Sequence, residues 1–120
     1  MNDFCQIPNI ITKLRGGSHC QIAYIGGSVT LSTGASNTAE TSWRALFQKH
    51  LYSEFHRKYY CHITEVFSGL GATPSCIGSF MVPRNLLPAI PTLTLVEFCL
   101  NDRHVQDQPL VGKGIEGIIR

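Results

Sequence analysis

Apolar residues along the chain follow two alternating patterns. Near the N-terminus they recur at the spacing of one helix face, at Ile7, Ile10, Ile11 and Leu14. Residues 20–25 then form a near-continuous apolar run, which is typical of a strand buried on both faces of a parallel sheet. The alternation continues toward the C-terminus. It predicts helices at about 8–15, 43–58, 76–87 and 110–120, and strands at 20–25, 59–67 and 93–100.

Strands that alternate with helices imply βαβ units with right-handed crossovers and a parallel sheet. The prediction is therefore an α/β fold.

In the third predicted helix, Pro83 indicates a kink or an early end. The residues of that helix that are expected to face the sheet are Ile77, Phe80, Met81 and Leu87.

Length and composition favour one small globular domain. The chain has 120 residues, of which 43% are hydrophobic and 15% are charged. The net charge is +2 without a dense block of Lys and Arg, so nucleic acid is not an expected partner. No stretch approaches the roughly 18 apolar residues of a membrane span, and the N-terminus has no signal-peptide pattern. A reducing, cytoplasmic compartment is the default expectation.

The cysteines indicate neither a disulfide framework nor a metal site. There are five of them, an odd number, and no C-x-x-C pair occurs. Cys20, Cys61 and Cys99 fall at or near predicted strands, where small buried thiols are expected. No cofactor is predicted.

Chemically useful residues follow each of the three predicted strands. They are Gly26-Gly27-Ser28, the glycine-containing turn 69–72, and Asn101-Asp102. In an open α/β sheet the carboxyl ends of the strands meet at one edge, where ligands bind. Ser28 can supply a nucleophilic hydroxyl. Its own backbone N–H, an N–H of the turn 69–72 and the side-chain amide of Asn101 can donate hydrogen bonds to an oxyanion, as acyl transfer requires.

These three blocks resemble the SGNH (GDSL-like) hydrolases. Gly26-Gly27-Ser28-Val29-Thr30 is similar to the first block of that family, the turn 69–72 to the second, and the segment 96–102 to the third. The resemblance implies a flavodoxin-like three-layer α/β/α sandwich and the hydrolysis of small-molecule esters, often of acylated carbohydrates or lipids. It implies Ser28 as the nucleophile and Asn101 as an oxyanion donor. Gly71 matches the second-block donor, or Ala72 if the register shifts by one.

Two departures from the family pattern affect this prediction. Gly27 stands where the commonest motif has Asp, and no Asp-x-x-His, the block that carries the general base, occurs in the chain. Residues 1–120 are therefore expected to be the N-terminal part of such a domain, with a three-stranded sheet in the order 2-1-3. The third strand is then an exposed edge, which predicts self-association.

Two other functions stay open. Lacking a visible base, the chain could be an inactive remnant or interaction protein that keeps the fold. A nucleotide- or phosphate-binding module is the weaker alternative, because there is neither G-x-x-x-x-G-K-[ST] nor G-x-G-x-x-G after the first strand. For Asp102 a structural role as an Asx turn or helix cap is also consistent with its position.

Overall fold

The computed structural model describes residues 7–119 and contains the predicted parallel sheet. The strands are β1 (Cys20–Gly26), β2 (Ile63–Gly69) and β3 (Leu93–Glu97). They lie in the order β2-β1-β3, and β1 pairs in parallel with both neighbours. The predicted α/β class and the 2-1-3 strand order are confirmed.

Helices connect the strands in the expected alternation. Within residues 7–119, no helix is long and apolar enough to cross a membrane. A π-helical turn, Tyr52–His56, continues α3 into α4, and a short 3-10 turn, Leu87–Ala89, follows α5. The helices are α1 (Ile7–Arg15), α2 (Ser28–Leu31), α3 (Trp43–Leu51), α4 (Arg57–Tyr59), α5 (Ser75–Asn85), α6 (Cys99–Asp102) and α7 (Gln108–Ile119).

Alternate residues of β1 build the cores on the two sides of the sheet. On one face Ile22 and Tyr24 pack with Leu51 of α3, and a neighbouring cluster joins α1 to the start of the strands. On the other face Ala23 and Ile25 pack with residues of α5 and α7. The sheet thus lies between two helical layers, which confirms the predicted three-layer α/β/α sandwich.

Two strand boundaries differ from the prediction by three residues or more. The helical segment runs through Tyr59 and ends at Tyr60, whose φ of 58° is left-handed, so β2 begins at Ile63 rather than at residue 59. β3 ends at Glu97 rather than at residue 100, because the next residues turn into α6. In both places apolar residues continue beyond the end of a helix or strand, so the apolar pattern does not mark the boundary.

The buried face of α5 was predicted wrongly. Phe80 is 78% exposed and Ile77 and Leu87 are also exposed; only Met81 of the predicted set packs against the core. The side that faces the sheet carries Gly78, where a β-carbon would overlap the ring of Phe98. A small residue therefore lets Phe98 enter the core. The helix includes Pro83 and ends two residues after it. The residues buried along this side are Ser75, Gly78, Val82 and Leu86.

Tyr24 is predicted to make stability fall at alkaline pH. It is fully buried in β1, and burial, reinforced by the charge of Glu65, raises its pKa from 10.0 to about 12. The folded state favours the neutral phenol, so its stabilising contribution is complete below pH 10 and is lost as the pH rises through about 12. Urea unfolding at a series of pH values should show this fall. Tyr24→Phe should reduce it, and the fall that remains belongs to Cys61, whose pKa burial raises to about 11.

Tyr60→Phe is the matched control, because Tyr60 is 83% exposed. Its alkaline slope should equal that of the unmodified chain. Tyr24→Phe should also be less stable at every pH, since the Tyr24 hydroxyl donates a 3.0 Å hydrogen bond to Oε1 of Gln48. An unchanged slope in Tyr24→Phe would show that another group causes the fall.

The free side of β3 is predicted to promote self-association. Among the described residues β3 pairs only with β1, and Val96 on it is 40% exposed. An unpaired strand edge with apolar side chains can pair with a second chain. Sedimentation velocity should show a mass that rises with protein concentration. Val96→Lys should suppress this rise and Leu46→Lys, an exposed site on α3, should not; a concentration-independent monomer would contradict the prediction.

Candidate active site

The three strand ends meet in one line across the sheet. Gly26, the last residue of β1, pairs with Gly69 on one side and with Glu97 on the other. The pairing continues beyond the strands, because Gly27 N–H donates to the Glu97 carbonyl at 3.0 Å and Leu70 N–H donates to the Gly26 carbonyl at 3.1 Å. The three predicted blocks are therefore adjacent at the carboxyl edge.

Ser28 is the first residue of the short helix α2. Its side chain is half-buried, and no residue in the described part of the chain hydrogen-bonds its hydroxyl. Two backbone bonds close the turn beneath it, from Leu31 N–H to the Gly27 carbonyl at 2.9 Å and from Thr33 N–H to the Ser28 carbonyl at 3.0 Å. The serine is thus carried by a well-defined turn and its hydroxyl is available to a ligand.

Asn101 lies directly against the backbone of the first block. A β-carbon placed on Gly27 would be 2.9 Å from Oδ1 of Asn101 and 3.4 Å from the carbonyl oxygen of Thr73. An Asp at this position would therefore collide with the Asn101 side chain unless that side chain moved. This contact gives a steric reason for the glycine. Asn101 itself lies in the helical turn α6, and its side-chain nitrogen Nδ2 has no hydrogen-bond partner among residues 7–119.

The second block forms a tight turn between β2 and α5. Ala72, and not Gly71, takes the left-handed conformation, with φ at 56°. The buried Thr73 hydroxyl donates to the Gly71 carbonyl at 3.1 Å and holds the turn. Neither the Gly71 N–H nor the Ala72 N–H has a backbone acceptor among the described residues. Both positions therefore remain candidates for the second oxyanion donor.

Asp102 links the third block to the second. Its buried carboxylate accepts a 2.7 Å hydrogen bond from the backbone N–H of Ser75, the first residue of α5. A carboxylate at this position satisfies an orphan N–H and interacts favourably with the positive end of the helix dipole. The helix-cap interpretation is correct, although the helix that Asp102 caps is α5 and not its own.

Trp43 and Arg44 support the serine turn, and sequence reasoning missed both roles. The indole N–H of Trp43 donates to the Val29 carbonyl at 2.9 Å, and Nε of Arg44 donates to the Thr30 carbonyl at 2.9 Å. These bonds give each carbonyl a second partner from outside the turn, because the Val29 carbonyl also accepts from Ser32 N–H at 3.0 Å and the Thr30 carbonyl from the Ser32 hydroxyl at 3.4 Å. The apolar spacing that predicts the helix at 43–58 gives Trp43 only a packing role, and nothing in that pattern singles out Arg44.

Arg44 is itself held by two contacts from β2. One of its terminal nitrogens forms a 2.8 Å salt bridge with Glu65, and its guanidinium lies 4.0 Å from the centre of the Phe67 ring. These partners fix a long, flexible side chain in the orientation that reaches α2.

Glu97 is satisfied by hydroxyl and thiol groups rather than by a basic residue. Its carboxylate accepts from the hydroxyl of buried Thr30 at 3.4 Å and from the thiol of Cys99 at 3.3 Å. The hydrogen bond to Glu97, with a smaller contribution from burial, raises the pKa of the Cys99 thiol. Cys99 is exposed, so the prediction of a buried thiol is wrong there; Cys20 and Cys61 are buried as predicted.

No histidine in the described residues contacts Ser28. His19 and His62 face each other, with ring centroids 5.2 Å apart, next to the amino ends of β1 and β2. His50 and His56 belong to the helical segment after α2. His104 follows α6, and its Nε2 accepts from Nε of Arg103 at 3.0 Å. Within residues 7–119 no group of three His, Cys, Asp or Glu side chains could hold a metal ion.

Two solved structures are similar to this chain. Both are of a two-domain esterase active on acetylated mannans, one of them co-crystallised with mannopentaose. Each matches with a TM-score of 0.83 over 97% of this chain, at 22% and 21% sequence identity. This chain shares the fold of part of that esterase. It spans 30% and 31% of the length of those chains, and no family model and no curated protein matches its sequence.

Removing the cap that Asp102 provides is predicted to lower stability. Asp102→Ala leaves the buried Ser75 N–H without its acceptor, which should cost about 2 kcal/mol and lower Tm by on the order of 8 °C. Asp102→Asn keeps an acceptor and loses the charge, so a loss of about 1 kcal/mol is expected. Differential scanning calorimetry measures both.

Asp107→Ala is a suitable comparison because Asp107 also caps a helix. Its Oδ1 accepts from Leu110 N–H at 3.2 Å, but the side chain is exposed. The free energy of unfolding should fall less in Asp107→Ala than in either Asp102 variant, by at most about 1 kcal/mol. Equal losses for Asp102→Ala and Asp107→Ala would contradict a special contribution from the buried cap.

Proposed function

We propose that this chain carries the nucleophile and the oxyanion donors of an SGNH-type serine ester hydrolase. One observation carries the proposal: three strand ends in register bring Ser28, the turn 69–72 and Asn101 to the same edge of the sheet. The hydroxyl of Ser28 and the donors around it are unused by other described residues, so a ligand can engage them. The matched esterase structures agree with this chemistry at the level of the fold.

In this mechanism Ser28 Oγ attacks the carbonyl carbon of an ester. Negative charge then develops on the carbonyl oxygen and is stabilised by hydrogen bonds from the Ser28 N–H, the Gly71 or Ala72 N–H and the Asn101 amide. The alcohol leaves, an acyl-serine remains, and water hydrolyses it. A general base must accept the proton of Ser28 for this to be fast at neutral pH. The described contacts of Ser28 do not include such a base.

An O-acetylated carbohydrate is the proposed substrate class. The similar esterase is described as active on acetylated mannans, and one of its structures was obtained with mannopentaose. An inactive remnant with the same fold is the second candidate, favoured by the lack of a base in contact with Ser28.

Covalent labelling with a fluorophosphonate tests the nucleophile. The expected result is one adduct on Ser28, located by peptide mass spectrometry and absent in Ser28→Ala. Ser36→Ala, a change in the exposed loop before α3, should label like the unmodified chain. Labelling that survives Ser28→Ala would contradict the assignment, and no labelling of a chain that melts cooperatively would favour the remnant.

The rate of the same reaction tests the oxyanion donor. Asn101→Ala should slow labelling about 100-fold, because one preorganised donor to the developing oxyanion is lost. Asn101→Asp keeps the shape of the side chain but places a carboxylate beside the anion, so it should be at least as slow. Unchanged rates with unchanged Tm would remove Asn101 from the site.

A further inference from the structure

A cavity lies apart from the Ser28 site. It is a groove of about 750 Å³ that follows one side of α3 and the π-helical turn after it, and Glu65 of β2 contributes to its wall. Its volume is in the range of small-molecule binding sites. None of Ser28, Gly71 and Asn101 lines it. We call this cavity the α3 groove.

The α3 groove is positively charged. Arg44, Lys49 and Arg57 line it, against a single carboxylate, Glu65. Glu65 is paired with Arg44 in a 2.8 Å salt bridge. Lys49 contacts only the backbone carbonyl of Glu40, at 3.4 Å, and Arg57 has no acidic partner in the described part of the chain. Two cations are therefore available to an anionic ligand.

The spacing of these cations favours an elongated ligand. Lys49 and Arg57 are eight positions apart along one continuous helical segment, which corresponds to at most about 12 Å at the rise of an α-helix. A chain with anionic groups at intervals can pair with both cations at this separation.

The remaining lining groups suit a sugar. The Ser53 hydroxyl donates to the His50 carbonyl at 2.9 Å and its oxygen can still accept. Gln48, whose Oε1 accepts from Tyr24, has a free amide N–H₂ to donate. Tyr52 also lines the groove, and its ring is 50% exposed although it stacks on His56 with the ring centroids 4.2 Å apart. Hydroxyl and amide partners together with an exposed aromatic ring match the polar edges and apolar faces of a pyranose ring.

We propose that the α3 groove binds an oligosaccharide that carries carboxylate groups. The groove also adjoins the proposed catalytic turn: Arg44, which lines it, donates to the Thr30 carbonyl two residues after Ser28. A polysaccharide in the groove can therefore extend toward Ser28, and this last step rests on the proposed esterase function. Acidic O-acetylated polysaccharides are then the substrate class that the whole surface fits.

Isothermal titration with three probes tests the groove. Tetragalacturonate should bind saturably, and its affinity should fall as salt is raised because charged groups are paired. Neutral mannopentaose and inorganic sulfate should each bind at least tenfold more weakly. Equal binding of mannopentaose would show that charge is not recognised, and equal binding of sulfate would show that no chain is recognised; either result overturns the proposal, as does the absence of saturable binding.

Matched variants locate the site. Lys49→Gln combined with Arg57→Gln should weaken tetragalacturonate binding about tenfold or more. Lys13→Gln combined with Arg15→Gln removes the same charge from α1, outside the groove, and should leave the affinity within about twofold. Equal effects of the two double variants would indicate only a net-charge effect and would overturn the assignment. Calorimetry confirms that each variant folds.

The groove proposal and the esterase proposal can be refuted independently of each other. Ser28→Ala should bind tetragalacturonate unchanged, since Ser28 does not line the groove. If the fluorophosphonate does not label Ser28 but tetragalacturonate still binds, the groove proposal stands and the link to ester hydrolysis is lost. If Ser28 is labelled and tetragalacturonate does not bind, the groove proposal alone is refuted.

Discussion

The double pairing of β1 is the constraint on which the rest of the structure depends. Residues 22–25 are completely buried, so their backbone polar groups must be satisfied by strands on both sides. Both neighbours are parallel to β1, and each must return through a helix on one face of the sheet. The consequence is geometric. Every segment that follows a strand is delivered to the same edge, where the Ser28 turn, the turn 69–72 and Asn101 meet.

The position of these segments at one edge of the sheet does not by itself hold them in place. Polar side chains from other elements add hydrogen bonds to their backbone groups. Arg44 and Trp43 bind the carbonyls of the serine turn, and Asp102 binds the first N–H of α5. Each bond joins two blocks or a block and a helix. The candidate site is therefore cross-linked by side chains that do not themselves belong to the proposed chemistry, and Arg44 also reaches the α3 groove.

Much of this arrangement was predictable, and the exceptions share a cause. The parallel sheet and the adjacency of the three blocks follow from alternating elements and from chain chirality, whereas the 2-1-3 strand order and the three layers were implied by the resemblance to the SGNH hydrolases. The inward face of α5 did not follow, because hydrophobicity alone favoured Ile77 and Phe80, whereas the contact with Phe98 requires the small Gly78. The roles of Arg44 and Asp102 were missed or left open for the same reason: their partners are distant in sequence.

The sequence by itself determined the parallel α/β fold and the candidate serine, because hydrophobic periodicity and turn chemistry are local properties of the chain. Only the tertiary structure decided which residues hold the serine turn, why Gly27 lacks a side chain, and where the α3 groove runs. Those features depend on distances between residues far apart in the chain, such as Gly27 and Asn101 or Arg44 and Glu65. Periodicity carries no information about such distances, since they are set by how the layers pack.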